Sequence, residues 1–190
     1  MHIKKIGIYG GTFDPITKSH ILAATSILKY VDETWIMPCY QSLTKPNISN
    51  SEHRMNMIEL AIKNNCRIKL WDTEIKNKNK YSYDTIKCLQ LLYPNHMFYF
   101  VIGMDNANLL SDKFKNIVPH IVVSRKTYKA SSSWFMHEPH KYLEINDEVS
   151  SSSQVKKSIR LFGYSNLVQP DVLDYILANR LYIYTKIKQV

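Results

Sequence analysis

The residues best suited to chemistry lie close together near the start of the chain, in the string GGTFDPITKSH at positions 10–20. Gly10 and Gly11 carry no side chain, which allows the backbone to approach a phosphate closely. The string runs into a predicted helix, and the free N–H groups at a helix N-terminus favour an anion. His20 falls one turn into that helix, where an imidazole can donate to a phosphoryl oxygen. We therefore predict a phosphate-binding loop, although a glycine turn or a first-turn histidine alone also fits ordinary surface structure.

The elements that must position this loop alternate between two patterns. Short β-prone runs occupy 6–9, 34–37, 68–70, 97–102 and 121–123, and helical apolar spacing occupies 21–30, 52–63 and 85–92. Several of the strands are apolar throughout, as expected for a parallel sheet covered on both faces. The pattern predicts the α/β class, as a Rossmann-like doubly wound parallel sheet with helices on both faces. Such sheets bind ligands at the carboxyl ends of their strands, where the first loop lies.

The last third of the chain has a helical pattern. The serine cluster 150–153 is placed to cap a helix that continues to about Leu161, and a second helix is predicted over 171–179. No repeat or change of composition marks a boundary, so we predict a single domain over 1–190 with a small C-terminal helical part from about 150. Residues 128–140 are predicted to form a loop, and the apolar, tyrosine-rich tail 181–187 fits either a final strand or an interface.

The composition limits the classes of partner. A chain of 190 residues with 45% hydrophobic and 22% charged residues is typical of one globular domain. The formal charge of +9 favours an anionic partner, but no motif that reads nucleic acid accompanies the scattered lysines, so we expect none to bind. No apolar run approaches membrane length, so no membrane partner is expected. Cys39, Cys66 and Cys88 fit neither a disulfide framework nor a zinc site, which favours a cytoplasmic protein without metal ligands of its own.

The string at 10–20 resembles the signature of the nucleotidyltransferase superfamily. Its last four residues, TKSH, match the (H/T)xGH motif of that superfamily, with Ser19 in place of the usual glycine. The resemblance implies that Thr17 and His20 donate to triphosphate oxygens. It also implies an ATP-binding loop made of Gly10, Gly11, Thr12 and Phe13.

Later segments resemble one branch of the superfamily, the nicotinate (nicotinamide) mononucleotide adenylyltransferases in their compact bacterial form. The segments 37–61, 81–86, 100–105 and 150–156 carry this resemblance, which covers nearly the whole chain. It implies that Lys45 contacts phosphate. It implies ATP contacts from Gly103, Asp105, Ser152, Ser153 and Lys156. It implies nicotinate mononucleotide contacts from Ser82, Tyr83, Thr85, Phe114 and Arg125. Lys156 replaces an arginine of the branch, and lysine lacks the planar fork that grips two phosphate oxygens.

The reaction implied by the resemblance is adenylyl transfer from ATP to nicotinate mononucleotide in NAD biosynthesis. The attacking phosphate is already an anion, so it needs alignment and charge neutralisation more than a general base. Lys45 and Lys156 are expected to balance charge on the departing pyrophosphate. The one cofactor expected is Mg²⁺, held mainly by ATP oxygens and water. The nicotinate nucleotide is expected to be preferred over its amide.

Two other functions fit the same residues. One is a different small-molecule nucleotidyltransferase, of the phosphopantetheine adenylyltransferase or cytidylyltransferase type, which would share the first loop. The other is a non-catalytic nucleotide-binding module. Ser19 and Lys156, which differ from the residues usual in the family motifs, are the reason to consider it. A homo-oligomer is compatible with the sequence.

Overall fold

Six strands form one sheet in the computed structural model, which describes residues 3–42, 45, 47–79, 81–107, 109–125, 134–146 and 151–183. The strands are β1 (Lys4–Gly11), β2 (Glu33–Pro38), β3 (Ile68–Leu70), β4 (His96–Gly103), β5 (His120–Arg125) and β6 (Lys141–Ile145). The helices are α1 (Lys18–Ser26), α2 (Ser51–Ile62), α3 (Thr73–Lys76), α4 (Ser82–Leu92), α5 (Met104–Ala107), α6 (Asp112–Lys115), α7 (Ser152–Phe162) and α8 (Pro170–Ala178). Short 3₁₀ turns follow α1 and precede β6.

The strand order is β3-β2-β1-β4-β5-β6, and every neighbouring pair is parallel. This is the order of a doubly wound sheet, in which the direction of winding reverses between β1 and β4. The crossovers on either side of that point leave in opposite directions, so the carboxyl ends of β1 and β4 border a crevice. The predicted Rossmann-like fold is confirmed.

Helices cover both faces because neighbouring residues of each central strand point to opposite sides. On β4, Phe100 belongs to the same buried cluster as Ile86 of α4. The next residue, Val101, belongs to a second cluster with Ala23 of α1 and with Ile27 of the 3₁₀ turn that follows it. Full burial of an apolar side chain of this size contributes roughly 1.5–3 kcal/mol, so the two clusters fix both helices against the sheet that carries the loop.

The structure departs from the predicted elements around the first loop. Gly10 and Gly11 were predicted to form a turn, but they continue β1 and pair with Met37 and Pro38 of β2. The Cys39 N–H also donates to the Gly11 carbonyl at 2.9 Å, which extends the ladder by one residue. The glycines therefore act inside a strand rather than in a turn.

Other parts of the chain also differ from the predictions. Helices α1 and α4 each begin three residues earlier than their apolar periodicity indicates, because polar residues form their first turns. Strand β6 was not predicted, since it is a short edge strand in which only Leu143 and Ile145 are buried. Leu181 and Tyr182 lie in a turn after α8, and positions 184–187 of the tail lie outside the described residues, as do 128–133 of the predicted loop. No helix in the described ranges is long and apolar enough to cross a membrane.

Candidate active site

A cavity of about 490 Å³ lies in the crevice at the carboxyl ends of the strands. Strands β1, β4, β5 and β6 and the first turns of α1, α5 and α7 contribute to its walls. The residues predicted for the site that line it are Gly10, Gly11, Thr12, Phe13, His20, Lys45, Gly103, Asp105, Arg125 and Ser152. The cavity therefore brings together predicted residues that lie up to 142 positions apart in the sequence, from Gly10 to Ser152.

His20 is the third residue of α1, and its orientation is fixed by Thr17. The Thr17 hydroxyl caps the helix by accepting from the His20 N–H, and the Thr17 N–H donates to His20 Nδ1 at 3.0 Å. Because a backbone N–H can only donate, Nδ1 is unprotonated and the neutral ring carries its proton on Nε2. Thr17 is fully buried and does not line the cavity, so its contacts are with the histidine rather than with the cavity.

The imidazole of His20 stays neutral. Burial lowers the pKa of His20 to about 3, and the positive charges of Arg125 and Lys45 act in the same direction. A protonated ring is therefore absent at neutral pH, and the Nε2–H group is a hydrogen-bond donor without a net charge. The cations supply the charge of the site, and the histidine supplies a directed donor.

Phe13 explains why the loop needs glycine and how it supports the histidine. Its ring is buried and lies edge-on to His20, with ring centroids 5.2 Å apart. A β-carbon on Gly11 would lie 2.8 Å from the Phe13 ring, so no side chain fits there. Phe13 itself has a φ of 49°, in the left-handed region that residues with a β-carbon rarely adopt. The buried ring contacts hold the loop in this strained conformation.

Arg54 of α2 fastens the loop to the rest of the sheet. Its guanidinium is buried and donates to three backbone carbonyl oxygens, those of Thr12 and Cys39 at 2.9 Å and that of Ser49 at 3.1 Å. One side chain therefore joins the loop after β1, the end of β2 and the segment before α2. No role was predicted for Arg54.

The first turn of α7 closes another side of the cavity. Ser151 caps the helix in a capping box with Gln154, and the Ser152 hydroxyl donates to the Pro15 carbonyl at 2.9 Å. The helix N-terminus is thus attached to the loop between β1 and α1. Its partial positive charge favours an anion in the cavity.

Ser153 and Lys156 line a second, smaller cavity of about 40 Å³ beside the first. Thr12, Lys45 and Ser152 contribute to both cavities. The Lys156 ammonium pairs with Asp14 Oδ2 at 2.5 Å, and Asp14 is buried. Burial acts to raise the pKa of Asp14, but hydrogen bonds from Lys156, Tyr182 and Ser49 hold that pKa below its usual value. Sequence reasoning missed Asp14 and Tyr182.

The remaining predicted residues, Ser82, Tyr83, Thr85 and Phe114, lie on the α4 side of β1 and do not line the larger cavity. Thr85 is buried and accepts from the Asn79 amide at 3.0 Å. Phe114 is buried against Phe100, with ring centroids 4.8 Å apart. Ser82 lies nearest the loop, since its Oγ is 3.9 Å from the position of a β-carbon on Gly10. The structure therefore does not bring these four side chains into the cavity that holds Arg125.

Glu74 of α3 is a buried carboxyl next to this group. Burial raises the pKa of Glu74 to about 7, and a hydrogen bond from Ser82 partly opposes the shift. Its Oε1 atom has no hydrogen-bond partner among the described residues. A buried acid without full hydrogen bonding favours the neutral form. No sequence pattern marked Glu74, because a single acidic residue in a polar segment resembles surface.

Metal binding by the protein alone finds no support in the described ranges, where no three His, Cys, Asp or Glu side chains are grouped to hold an ion. Asp105 is the carboxylate that lines the larger cavity, and a β-carbon on Gly103 would lie 2.5 Å from its Oδ1. Gly103 therefore gives this carboxylate room to fold over the end of β4.

Cations and a neutral imidazole donor at the strand-order switch of a doubly wound sheet place the chain in the class of Rossmann-like nucleotidyltransferases. The model of the cytidylyltransferase-like family matches residues 8–158. The chain belongs to this family and, within it, to the nicotinate-nucleotide adenylyltransferases.

The relatives match over almost their full length. A probable nicotinate-nucleotide adenylyltransferase of Oceanobacillus iheyensis is 35% identical over 190 residues, which cover 95% of this chain and 97% of the relative. The nicotinate-nucleotide adenylyltransferase of Bacillus subtilis is 31% identical over 191 residues, covering 95% and 99%. Among solved structures, the nicotinic acid mononucleotide adenylyltransferase of Plasmodium falciparum complexed with NaAD has a TM-score of 0.76 and 30% identity, covering 94% of this chain and 97% of that chain.

Proposed function

We propose that the chain transfers the adenylyl group of ATP to nicotinate mononucleotide, giving nicotinate adenine dinucleotide and pyrophosphate. The observation that carries this proposal is the neutral His20 donor in a cationic cavity at the strand-order switch. The names of the relatives support the same reaction, as does the description of the Plasmodium structure as a complex with NaAD.

In this proposal the triphosphate of ATP lies along the end of β1. The backbone of Gly10 and Gly11 can approach it closely, and the first turn of α7 offers further N–H groups. Lys45 and Arg125 supply positive charge from two sides of the cavity. Asp105, at the end of β4, is available to the ribose of the adenosine.

The chemical step is an in-line displacement at the α-phosphorus. A phosphate oxygen of nicotinate mononucleotide forms the new P–O bond, and the bond to the oxygen bridging the α- and β-phosphorus atoms breaks with its electron pair. No proton has to leave the attacking phosphate, which is an anion at neutral pH. His20 Nε2–H donates to oxygens on which charge develops, and Lys45 and Lys156 neutralise the departing pyrophosphate. Thr17 acts through His20 by fixing its tautomer.

Mg²⁺ fits this site as an ion that arrives with ATP. With Asp105 as the carboxylate lining the cavity, the ligands of Mg²⁺ would come mainly from phosphate oxygens and water. Its chemistry there is to neutralise phosphate charge. The residues of the chain then have to hold the magnesium-bound triphosphate rather than build a metal cage.

The acceptor nucleotide is proposed to use the α4 side of the crevice together with Arg125. Helix α4 has no side-chain cap at its N-terminus, which leaves N–H groups of its first turn for a pyridine carboxylate. Ser82, Tyr83 and Thr85 lie in that first turn, and Phe114 packs behind it. These positions support a preference for the nicotinate nucleotide over its amide.

A pyrophosphate-release assay with ATP and a panel of acceptors tests the function. We expect turnover with nicotinate mononucleotide, a lower kcat/KM with nicotinamide mononucleotide, and none with phosphopantetheine. The product should be identified as nicotinate adenine dinucleotide by mass spectrometry. Turnover with phosphopantetheine alone, or ATP binding without turnover of any acceptor, would refute the proposal in favour of one of the two alternative functions.

We further propose that the reaction takes place in a reducing compartment, the cytoplasm. Cys39, Cys66 and Cys88 are all free thiols. Free thiols persist in a reducing environment, where disulfides are rare.

A further inference from the structure

The turn that follows α8 reaches back to the phosphate loop through Tyr182. Its hydroxyl donates to Asp14 Oδ1 at 2.6 Å, across 168 positions of sequence. Asp14 is 4% exposed, so this contact is enclosed by the protein. Burial raises the pKa of Tyr182 above its usual value, as does the charge of Asp14, so the hydroxyl keeps its proton and remains a donor.

The other oxygen of Asp14 is also fully used. Asp14 Oδ2 accepts from the Lys156 ammonium at 2.5 Å and from the Ser49 N–H at 3.2 Å. The ammonium of Lys156 also lies 4.8 Å from the centroid of the Tyr182 ring. Tyr182 therefore contacts both members of the ion pair, the carboxylate through its hydroxyl and the ammonium through its ring.

The backbone at Tyr182 is strained. Its φ is 64°, in the left-handed region that a residue with a β-carbon rarely adopts. Such a conformation persists where surrounding contacts hold it in place. The side chain packs against the apolar core, and its polar contacts include Asp14, Lys156 and the sulfur of Met57. They aim the tyrosine at the loop.

The position of the Lys156 ammonium depends on its contact with Asp14. It borders the small cavity that it shares with Lys45 and Ser152, next to the one proposed for the triphosphate. A lysine has a long flexible stem and a single point of charge, so its position depends on what holds the ammonium. Asp14 holds it at the small cavity, and Tyr182 holds Asp14.

We propose that Tyr182 is a positioning residue for adenylyl transfer, which fixes the carboxylate of Asp14 and through it places the ammonium of Lys156 against the phosphates of ATP. The proposal rests on the proposed function only in naming ATP as the ligand. It predicts that loss of the Tyr182 hydroxyl weakens the binding of ATP and leaves the binding of the acceptor nucleotide unchanged, because Lys156 lies beside the cavity proposed for the triphosphate.

The test compares Tyr182→Phe with wild type in steady-state kinetics. We expect the KM for ATP to rise about tenfold, as for the loss of a hydrogen bond to a charged group, with the KM for nicotinate mononucleotide within about twofold. The matched control is Tyr175→Phe, which removes a hydroxyl of α8 that bonds His53 and Asn56 at 2.9 Å. The control should leave both KM values unchanged. An unchanged KM for ATP in Tyr182→Phe, or equal effects in the two variants, would overturn the proposal.

A double-mutant cycle shows whether Tyr182 acts through Asp14. Asp14→Asn alone should raise the KM for ATP, and adding Tyr182→Phe should produce no further rise. Independent, multiplying effects would contradict the proposed chain of contacts. Should Tyr182→Phe not fold, Asp14→Asn alone remains decisive, since a normal KM for ATP in that variant excludes the anchor.

Failure of the proposed function would be visible separately, as absence of turnover in the wild type with nicotinate mononucleotide. The same variants would then be compared by calorimetric titration with α,β-methylene-ATP and Mg²⁺. A Kd about tenfold weaker in Tyr182→Phe than in Tyr175→Phe would sustain the inference, and equal Kd values would refute it.

Discussion

The phosphate side of the crevice, formed by the loop 10–20 with Lys45 and the start of α7, differs from the α4 side in how its polar groups are satisfied. On the phosphate side, Nδ1 of His20 and both oxygens of Asp14 have protein partners. On the α4 side, within the part of the chain that the structure describes, Glu74 keeps an oxygen without a partner and the first turn of α4 has no side-chain cap. The phosphate side is thus preorganised in the free protein, whereas the α4 side has polar groups whose partners remain to be supplied.

This difference bears on how each side contributes to catalysis. Groups held by the protein need no reorganisation when charge develops on the phosphates, which is the condition for strong electrostatic stabilisation. Groups without partners reduce stability but gain more from a ligand that supplies them. The comparison therefore predicts large effects on turnover from one side and effects on stability from the other.

The largest effect is expected from His20→Ala. Removing a preorganised donor should lower turnover by about 10²-fold or more, because the ring is proposed to donate to the reacting phosphates. The protein should still fold. Steady-state kinetics and a thermal melt measure the two quantities. His53→Ala removes a ring that bonds Tyr175 on α8 and serves as the control, with turnover close to wild type. Near-normal activity of His20→Ala would contradict the prediction that the phosphate side dominates turnover.

The next effect concerns Glu74 and the pH dependence of stability. The pKa of Glu74 is raised to about 7 in the fold, above the ordinary value of 4.5 for the unfolded chain. Its stabilising contribution is therefore fully present below pH 4.5 and is lost as the pH rises to about 7. The loss corresponds to roughly 3 kcal/mol in the free energy of unfolding.

Glu74→Gln does not titrate and should escape this loss. Urea unfolding at pH 4.5 and pH 8 should show the variant gaining roughly 3 kcal/mol on wild type between the two. The exposed Glu59→Gln on α2 is the control and should follow the wild-type curve. Equal changes in the free energy of unfolding for Glu74→Gln and wild type would mean that the Glu74 carboxyl has its hydrogen-bond partners. The two sides would then not differ in this respect.

The smallest effect is expected from Thr17→Val, which keeps the shape of the side chain but removes the hydroxyl that caps α1. The loss of a cap should lower the free energy of unfolding by about 1 kcal/mol. The backbone N–H still donates to His20 Nδ1, so turnover should fall less than in His20→Ala. Denaturant unfolding and kinetics on the same preparation measure both. A loss of turnover equal to that of His20→Ala would show that the hydroxyl itself acts on the phosphates.

The sheet and the place of residues 10–20 at its edge could be predicted because their signals are local. Residues 10–20 are consecutive, and the buried strands have continuous apolar runs. The start of α1 at Lys18 was missed because apolar periodicity marks only the buried face, and the capping residue Thr17 is polar. Strand β6 was missed because an edge strand with two buried residues has little periodicity to detect.

The contacts that complete the site could not be predicted in the same way. The pairing of Asp14 with Tyr182 spans 168 positions, and nothing in the sequence near either residue predicts the other. Arg54 is a charged residue at full burial, which composition and periodicity assign to the surface. On the α4 side, the resemblance named Ser82 and Thr85, but the burial of Glu74 depends on the packing of α3 against its neighbours.

The setting of Arg54 has a consequence for how ligands arrive. Its guanidinium donates to the neutral carbonyl oxygens of Thr12, Cys39 and Ser49. These hydrogen bonds do not cancel its charge, so Arg54 adds positive charge next to the loop that contains Thr12. Its field adds to that of the basic surface and draws polyanions toward the opening, so the rate of nucleotide capture should decline as ionic strength increases.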